Sequence, residues 1–209
     1  MIQSLSYDEL NVIAGMKRSV PYDQYFGEMK IPESDKEDRK NLAESLEEAF
    51  LPVLALLFTM KQFDSFDWKM ARDRFSAAYL SVLREHSLED SYLEDYVEIF
   101  ADNSIMSTRN NENEPYYYSV DRARFMAENE ANTIYNYVRN EEAIRSGKTR
   151  KQWIAIEDEA TRPTHRDVDM RVLPINQYFL VGNSLMRYPK DPLGNPEEII
   201  NCRCSIIYF

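Results

Sequence analysis

The sequence holds two cysteines, two histidines and five glycines in 209 residues, and it has no long apolar run. Each scarcity excludes something. Cys202 and Cys204 sit one residue apart, where a mutual disulfide would be badly strained. A disulfide-built secreted domain is therefore excluded, and a reducing compartment fits. So few glycines argue against a β-sandwich or a glycine-rich nucleotide fold and exclude a collagen-like chain. With only His86 and His165 present, any Ser–His–Asp or Cys–His site must use one of them. The longest apolar window, residues 49–58, contains Pro52 and is about half a membrane span, so no membrane partner is expected. Met1, Ile2, Gln3 and Ser4 bring no basic stretch ahead of an apolar run, and no signal peptide is expected. The GxxxxGK[ST], GxGxxG, HExxH and GxSxG patterns are all missing, as is the HxE with PCxxC of zinc deaminases.

What is present begins with acid. The net charge is −11, from 36 acidic and 25 basic side chains. A free-standing nucleic-acid binder carries the opposite sign, because its affinity comes from neutralising phosphates. The charge is also uneven. Residues 148–209 hold nine basic and eight acidic side chains, so residues 1–147 carry all of the net negative charge. DNA contact, if any, falls to Arg162, Arg166, Arg171, Arg187 and Arg203 in the near-neutral part.

Hydrophobic spacing predicts helices over most of the acidic part. Ser6, Tyr7, Asp8 and Glu9 read as a capped helix start. Pro21, Gly27 and Pro32 then break the chain into an extended arm of the kind that packs only on a partner. From Asp35 onward Leu42, Leu46, Ala49, Val53 and Leu57 recur at steps of three and four, with Pro52 as an expected kink. Further helices are predicted over 67–85, 87–106 and 119–146, the last closed by Gly147 as a C-cap. Residues 108–115 read as a loop, and Tyr116, Tyr117 and Tyr118 beside it as a partner-binding edge. After Gly147, residues 151–156 read as a strand, Pro and Gly punctuate residues 163–196, and residues 199–209 read as a terminal strand. The expected class is α+β: a helical N-terminal part, then a small unit with the long helix packed on a short antiparallel sheet.

Chemistry-bearing residues gather late in the chain. In a strand, residues i and i+2 face the same side, so Cys202 and Cys204 could turn both sulfurs to one point. His165 would be a third metal ligand and Asp158 a fourth, with zinc as the metal. The C-x-C spacing is shorter than the usual C-x2-4-C of zinc sites. The other reading makes the cysteines small buried residues and His165 a loop-fixing hydrogen-bonder. A reactive thiol beside Arg203 is a third reading. Arg162 reads either as a phosphate or carboxylate clamp or as the partner of Asp158 in a loop-pinning pair. His86 reads as a surface residue near a helix end.

Taken in order, these residues resemble a known family. The run Arg122–Ala123–Arg124–Phe125–Met126–Ala127–Glu128–Asn129–Glu130 is followed by Lys151–Gln152–Trp153, then Asp158, Thr161–Arg162 and His165. Arg171–Val172–Leu173–Pro174 comes next, and Asn201–Cys202–Arg203–Cys204 closes the pattern. Residues 119–209 resemble the C-terminal domain of the phage Mu F-like head morphogenesis proteins, whose pattern runs K-x-W, D-x-R-T-R-x-x-H and N-C-R-C. Trp153, Asp158, Arg162, His165, Asn201 and Arg203 carry the match. The chain departs at Val168–Asp169–Met170, where the family has L-D-G, and at Ala127–Glu128–Asn129–Glu130, where it has A-R-T-E. Some relatives place cysteines around the positions of Arg162 and His165.

The resemblance implies two regions: residues 1–118 as an acidic helical portal or capsid contact, and 119–209 as the head-morphogenesis domain. It implies a minor head protein of a phage or prophage, not an enzyme. Its partners would be the portal protein, the major capsid protein, or both, with phage DNA as an accessory contact. Its place would be the virion head, reached from the host cytoplasm. The family is also related by fold to ADP-ribosyltransferases, which leaves an enzyme or toxin reading, ADP-ribosylating or zinc-dependent, as the alternative.

Overall fold

The computed structural model describes residues 21–209, so the capped start at Ser6 to Glu9 lies outside the described residues. Five helices come first: α1 (Tyr22–Gly27), α2 (Glu33–Gln62), α3 (Trp68–Glu85), α4 (Ser91–Asn110) and α5 (Val120–Arg145), with a 3-10 turn (Pro115–Tyr118) before α5. The rest is built of short pieces: β1 (Arg150–Ile154), α6 (Pro163–Arg166), β2 (Val172–Pro174), β3 (Phe179–Val181), β4 (Ser184–Met186), α7 (Pro196–Ile199) and β5 (Ser205–Tyr208). The class is α+β, as expected. Residues Leu42–Ala127 form one compact unit; Pro21–Asn41 and Glu128–Phe209 form another.

The first unit is helical because its apolar residues repeat at helical spacing and its helices carry caps. Asp67 accepts the Met70 amide proton at 2.9 Å, and Asp90 accepts that of Tyr92 at 2.8 Å, each satisfying an orphan first-turn donor. Leu42, Leu46, Phe50, Val53 and Leu57 are buried on α2, which runs through Pro52. Phe50 stacks on Phe75 at 4.6 Å and meets Tyr79 edge-on at 5.4 Å. Tyr118 is no partner-binding edge: it is buried, and its hydroxyl donates to the Glu112 carbonyl at 2.9 Å. His86 lies 3.0 Å from the Ser45 hydroxyl of the same unit.

In the second unit β1 is the central strand of an antiparallel sheet ordered β2-β1-β5, with Trp153 opposite Ile206. Helix α5 ends as its glycine requires. Gly147 has a φ of 76°, and the Lys148 amide donates back to the Ala143 carbonyl at 3.0 Å. The core gathers Trp153, Ala155, Val168, Phe179, Val181, Met186, Cys202 and Cys204. Polar ties bind α5 to the rest of the unit. Arg39 donates to Asn132 at 2.7 Å and to Asn136 at 2.9 Å, and Asn136 donates to the Pro189 carbonyl at 2.8 Å.

Two expectations need correction. Residues 21–32 are not an extended arm. Tyr22, Tyr25, Phe26 and Met29 stand at helical spacing and are all buried in this unit, so packing outweighs the Pro and Gly punctuation. Nor is the C-terminus one strand from residue 199. Helix α7 ends at Ile199, Asn201 turns with a φ of 59°, and pairing begins only at Ser205.

Candidate metal centre

The two cysteines converge although they precede β5 rather than lie within it. The left-handed turn at Asn201 reverses the chain after α7 and leads Cys202 and Cys204 into the core, both buried. His165 reaches them from α6, a single turn opened by Pro163, which suits a first helical position. Its Nδ1 lies 3.3 Å from Cys204 Sγ and 3.6 Å from Cys202 Sγ. One donor atom from each of the three residues falls within 4.8 Å of the others. This group could hold a metal ion, since imidazole nitrogen and two thiolates are ordinary metal donors.

Glu198 sets the orientation of the ring. Its Oε2 lies 3.0 Å from His165 Nε2 and also accepts from the Thr164 hydroxyl at 2.8 Å. An ionised carboxylate only accepts, so Nε2 carries the proton and Nδ1 is the nitrogen turned to the sulfurs. This carboxylate–histidine arrangement is the usual support of a ligating imidazole. Gly182, at the β3–β4 turn with a φ of 57°, makes room for it: a Cβ there would collide with the Glu198 carboxyl. Trp153 closes the other side, edge-on to the His165 ring at 5.7 Å. Its buried indole favours the thiolate form of Cys204, against the larger upward push of Cys202 and burial.

Charge in the cluster is uneven. Cys202 is held well below the ordinary thiol range, chiefly because Cys204 donates to its sulfur, with His165 adding to the effect. The same bond, together with burial, pushes Cys204 up. Burial opposes a charged His165 ring, but the Cys202 sulfur beside it outweighs that and the ring's pKa is raised.

The remaining motif residues shape the approach. Asp158, Arg162, Asn201 and Arg203 line, with the three donors, a recess of about 170 Å³. Asp158 is engaged at both oxygens: Oδ1 accepts from Thr161 at 2.8 Å and Oδ2 from Arg203. Arg203 also pairs with Glu28, so the pin on the Asp158 loop comes from Arg203. Arg162 instead donates to the Ile200 carbonyl at 2.5 Å. The Asn201 turn is held from α5: Asn129 Oδ1 accepts from the Asn201 amide and from the buried Lys190 ammonium, each at 2.7 Å. Burial pushes Lys190 down to about 8. Glu198, Asn129 and Lys190 carry no signal in the sequence that marks them for these roles. The Asn195–Pro196 helix start stands ahead of Glu198, but it says nothing of that residue's partner.

A family model described as Phage Mu protein F like protein matches residues 102–207. The chain belongs to the Phage Mu protein F like family. The match runs from α4 to β5 and takes in every donor of the cluster. No curated protein and no solved structure matches the chain. Membership carries the coarse function: this is a phage head morphogenesis protein, of a family of structural head proteins found in the virion. Among the described residues no helix is long and apolar enough to cross a membrane.

Proposed function

We propose that this protein is a minor head component that binds the portal or the inner capsid face and acts in head assembly or in DNA packaging and ejection. The family match carries the reading. Two features support it. The acidic residues before 148 would draw the protein to a basic portal or capsid surface, since complementary charge raises association rates. The polar side chains around the cluster are spent on tying loops together, as with Arg203 on Asp158 and Glu28, which suits a rigid docking module.

The metal in this reading is zinc. Tetrahedral zinc with Zn–S of about 2.3 Å and Zn–N of about 2.0–2.1 Å separates nitrogen from sulfur by about 3.6 Å. The 3.6 Å from Nδ1 to Cys202 matches that shape, and the 3.3 Å to Cys204 is shorter than it by about 0.3 Å. His165, Cys202 and Cys204 would hold the ion and lock the Asn201 turn to α6. Co-sedimentation of the purified protein with the portal protein of the same genome tests the docking. Binding that weakens between low and moderate salt is expected; no binding at any salt contradicts it.

A further inference from the structure

We propose that the zinc centre takes only three donors from this chain, His165, Cys202 and Cys204, and leaves its fourth position to an exchangeable small ligand, water at rest. The inference rests on the zinc reading and goes beyond it to the ligand class of the site.

Among the described residues, no further histidine, cysteine or carboxylate joins the three donors within 4.8 Å. The chain has two cysteines and two histidines, and the second histidine, His86, lies 3.0 Å from the Ser45 hydroxyl. Carboxylates are the next resort, and Glu198, Asp169, Glu157 and Asp158 have other work. Glu198 sits on the far ring nitrogen of His165, at 3.0 Å from Nε2, where it orients the imidazole. Asp169 accepts the Ala155 amide proton at 2.7 Å. Glu157 pairs with Lys30 at 2.7 Å. Asp158 faces the same recess as the donors, but Thr161 and Arg203 hold both its oxygens. Its oxygens are not among the donor atoms that lie within 4.8 Å of one another, so reaching a metal would pull it away from Thr161 and Arg203.

The recess supplies the alternative. It is bordered by all three donors, and about 170 Å³ is room for several waters at about 30 Å³ each. A ligand arriving through it meets the side of the cluster that Glu198 and Trp153 do not cover. Closed zinc sites use four protein donors, whereas a Cys2His set with an open position is the arrangement of centres that exchange ligands. Two thiolates and a neutral imidazole balance the charge of Zn²⁺, so a neutral fourth donor such as water, imidazole or a thiol adds no charge to this buried site.

Cobalt substitution of the full chain decides the matter, with imidazole as the probe. The expected result is one metal per chain, thiolate-to-cobalt charge transfer, and ligand-field bands that move saturably as imidazole is added. Asp158→Asn should leave the starting spectrum unchanged. Bands that ignore imidazole overturn the open position while leaving the metal in place. An altered starting spectrum in folded Asp158→Asn assigns the fourth position to Asp158 and likewise overturns it. If that variant does not fold, the wild-type imidazole titration still decides. A chain that contains no zinc and takes up no cobalt overturns the zinc reading itself.

Discussion

His165 Nε2 lies 3.0 Å from Glu198 Oε2, and this one contact decides which ring nitrogen meets the two cysteines. Glu198→Gln keeps the volume but gives up the carboxylate that stabilises the ring N–H. Metal affinity should fall about ten- to a hundredfold, the usual loss when such a supporting partner is removed. Gly182→Ala should act in the same direction, because its methyl occupies the space of the Glu198 carboxyl. Competition with a chromophoric chelator measures both.

Asn129 is the peg under the Asn201 turn. Asn129→Ala leaves the Asn201 amide without its acceptor and the buried Lys190 ammonium with the Ile199 carbonyl alone. The expected loss is about 1–3 kcal/mol, from an Asn201 amide without its side-chain acceptor and a buried Lys190 ammonium held less well. Urea denaturation of the variant against the parent checks this. A change below about 0.5 kcal/mol, the size seen at featureless surface positions, would show that the turn does not depend on the peg.

Phe26 tests whether the segment before α2 belongs to the fold. It is fully buried and in edge-on contact with Tyr25 at 4.9 Å. Phe26→Ala in the isolated protein should cost about 3–5 kcal/mol. A tail that orders only on a partner would show no change in the same denaturation curve.

Lys151 gives a pH signature. Its ammonium is buried, donates to the Arg187 carbonyl at 2.7 Å, and is pushed by burial from 10.5 down to about 8. Below pH 8 the lysine is charged in both folded and unfolded chains, and the burial penalty is fully present. Between pH 8 and 10.5 the unfolded chain keeps a proton that the folded one has shed, so folding gains stability as pH rises. Relative to Lys151→Met, the parent should therefore gain stability from about pH 8 to about pH 10. A difference that stays flat over that range contradicts the assignment.

The long helices were legible because their signal is local. Leu42, Leu46, Val53 and Leu57 recur within one element, and Gly147 marks the end of α5 by its own backbone freedom. The segment before α2 was not legible, although Tyr22, Tyr25, Phe26 and Met29 carry the helical spacing. Pro21, Gly27 and Pro32 outweigh that pattern in any local reading, and a six-residue helix owes its existence to packing. His165, Cys202 and Cys204 were legible as donors because so few residues of their kind exist in the chain. Glu198 was not, because its partner lies 33 residues away and a glycine elsewhere makes its room. Arg203 rather than Arg162 pins Asp158 for the same reason: the pair is 45 residues apart, and the nearer arginine finds the Ile200 carbonyl instead.

Head membership has the most direct test in the particle itself. Phage particles, from infection or prophage induction, can be purified through a density gradient and their proteins quantified by mass spectrometry against the portal protein. The account predicts this chain in intact heads at a small number of copies per portal ring. Its absence from intact heads and from portal-containing assembly intermediates alike would contradict the account.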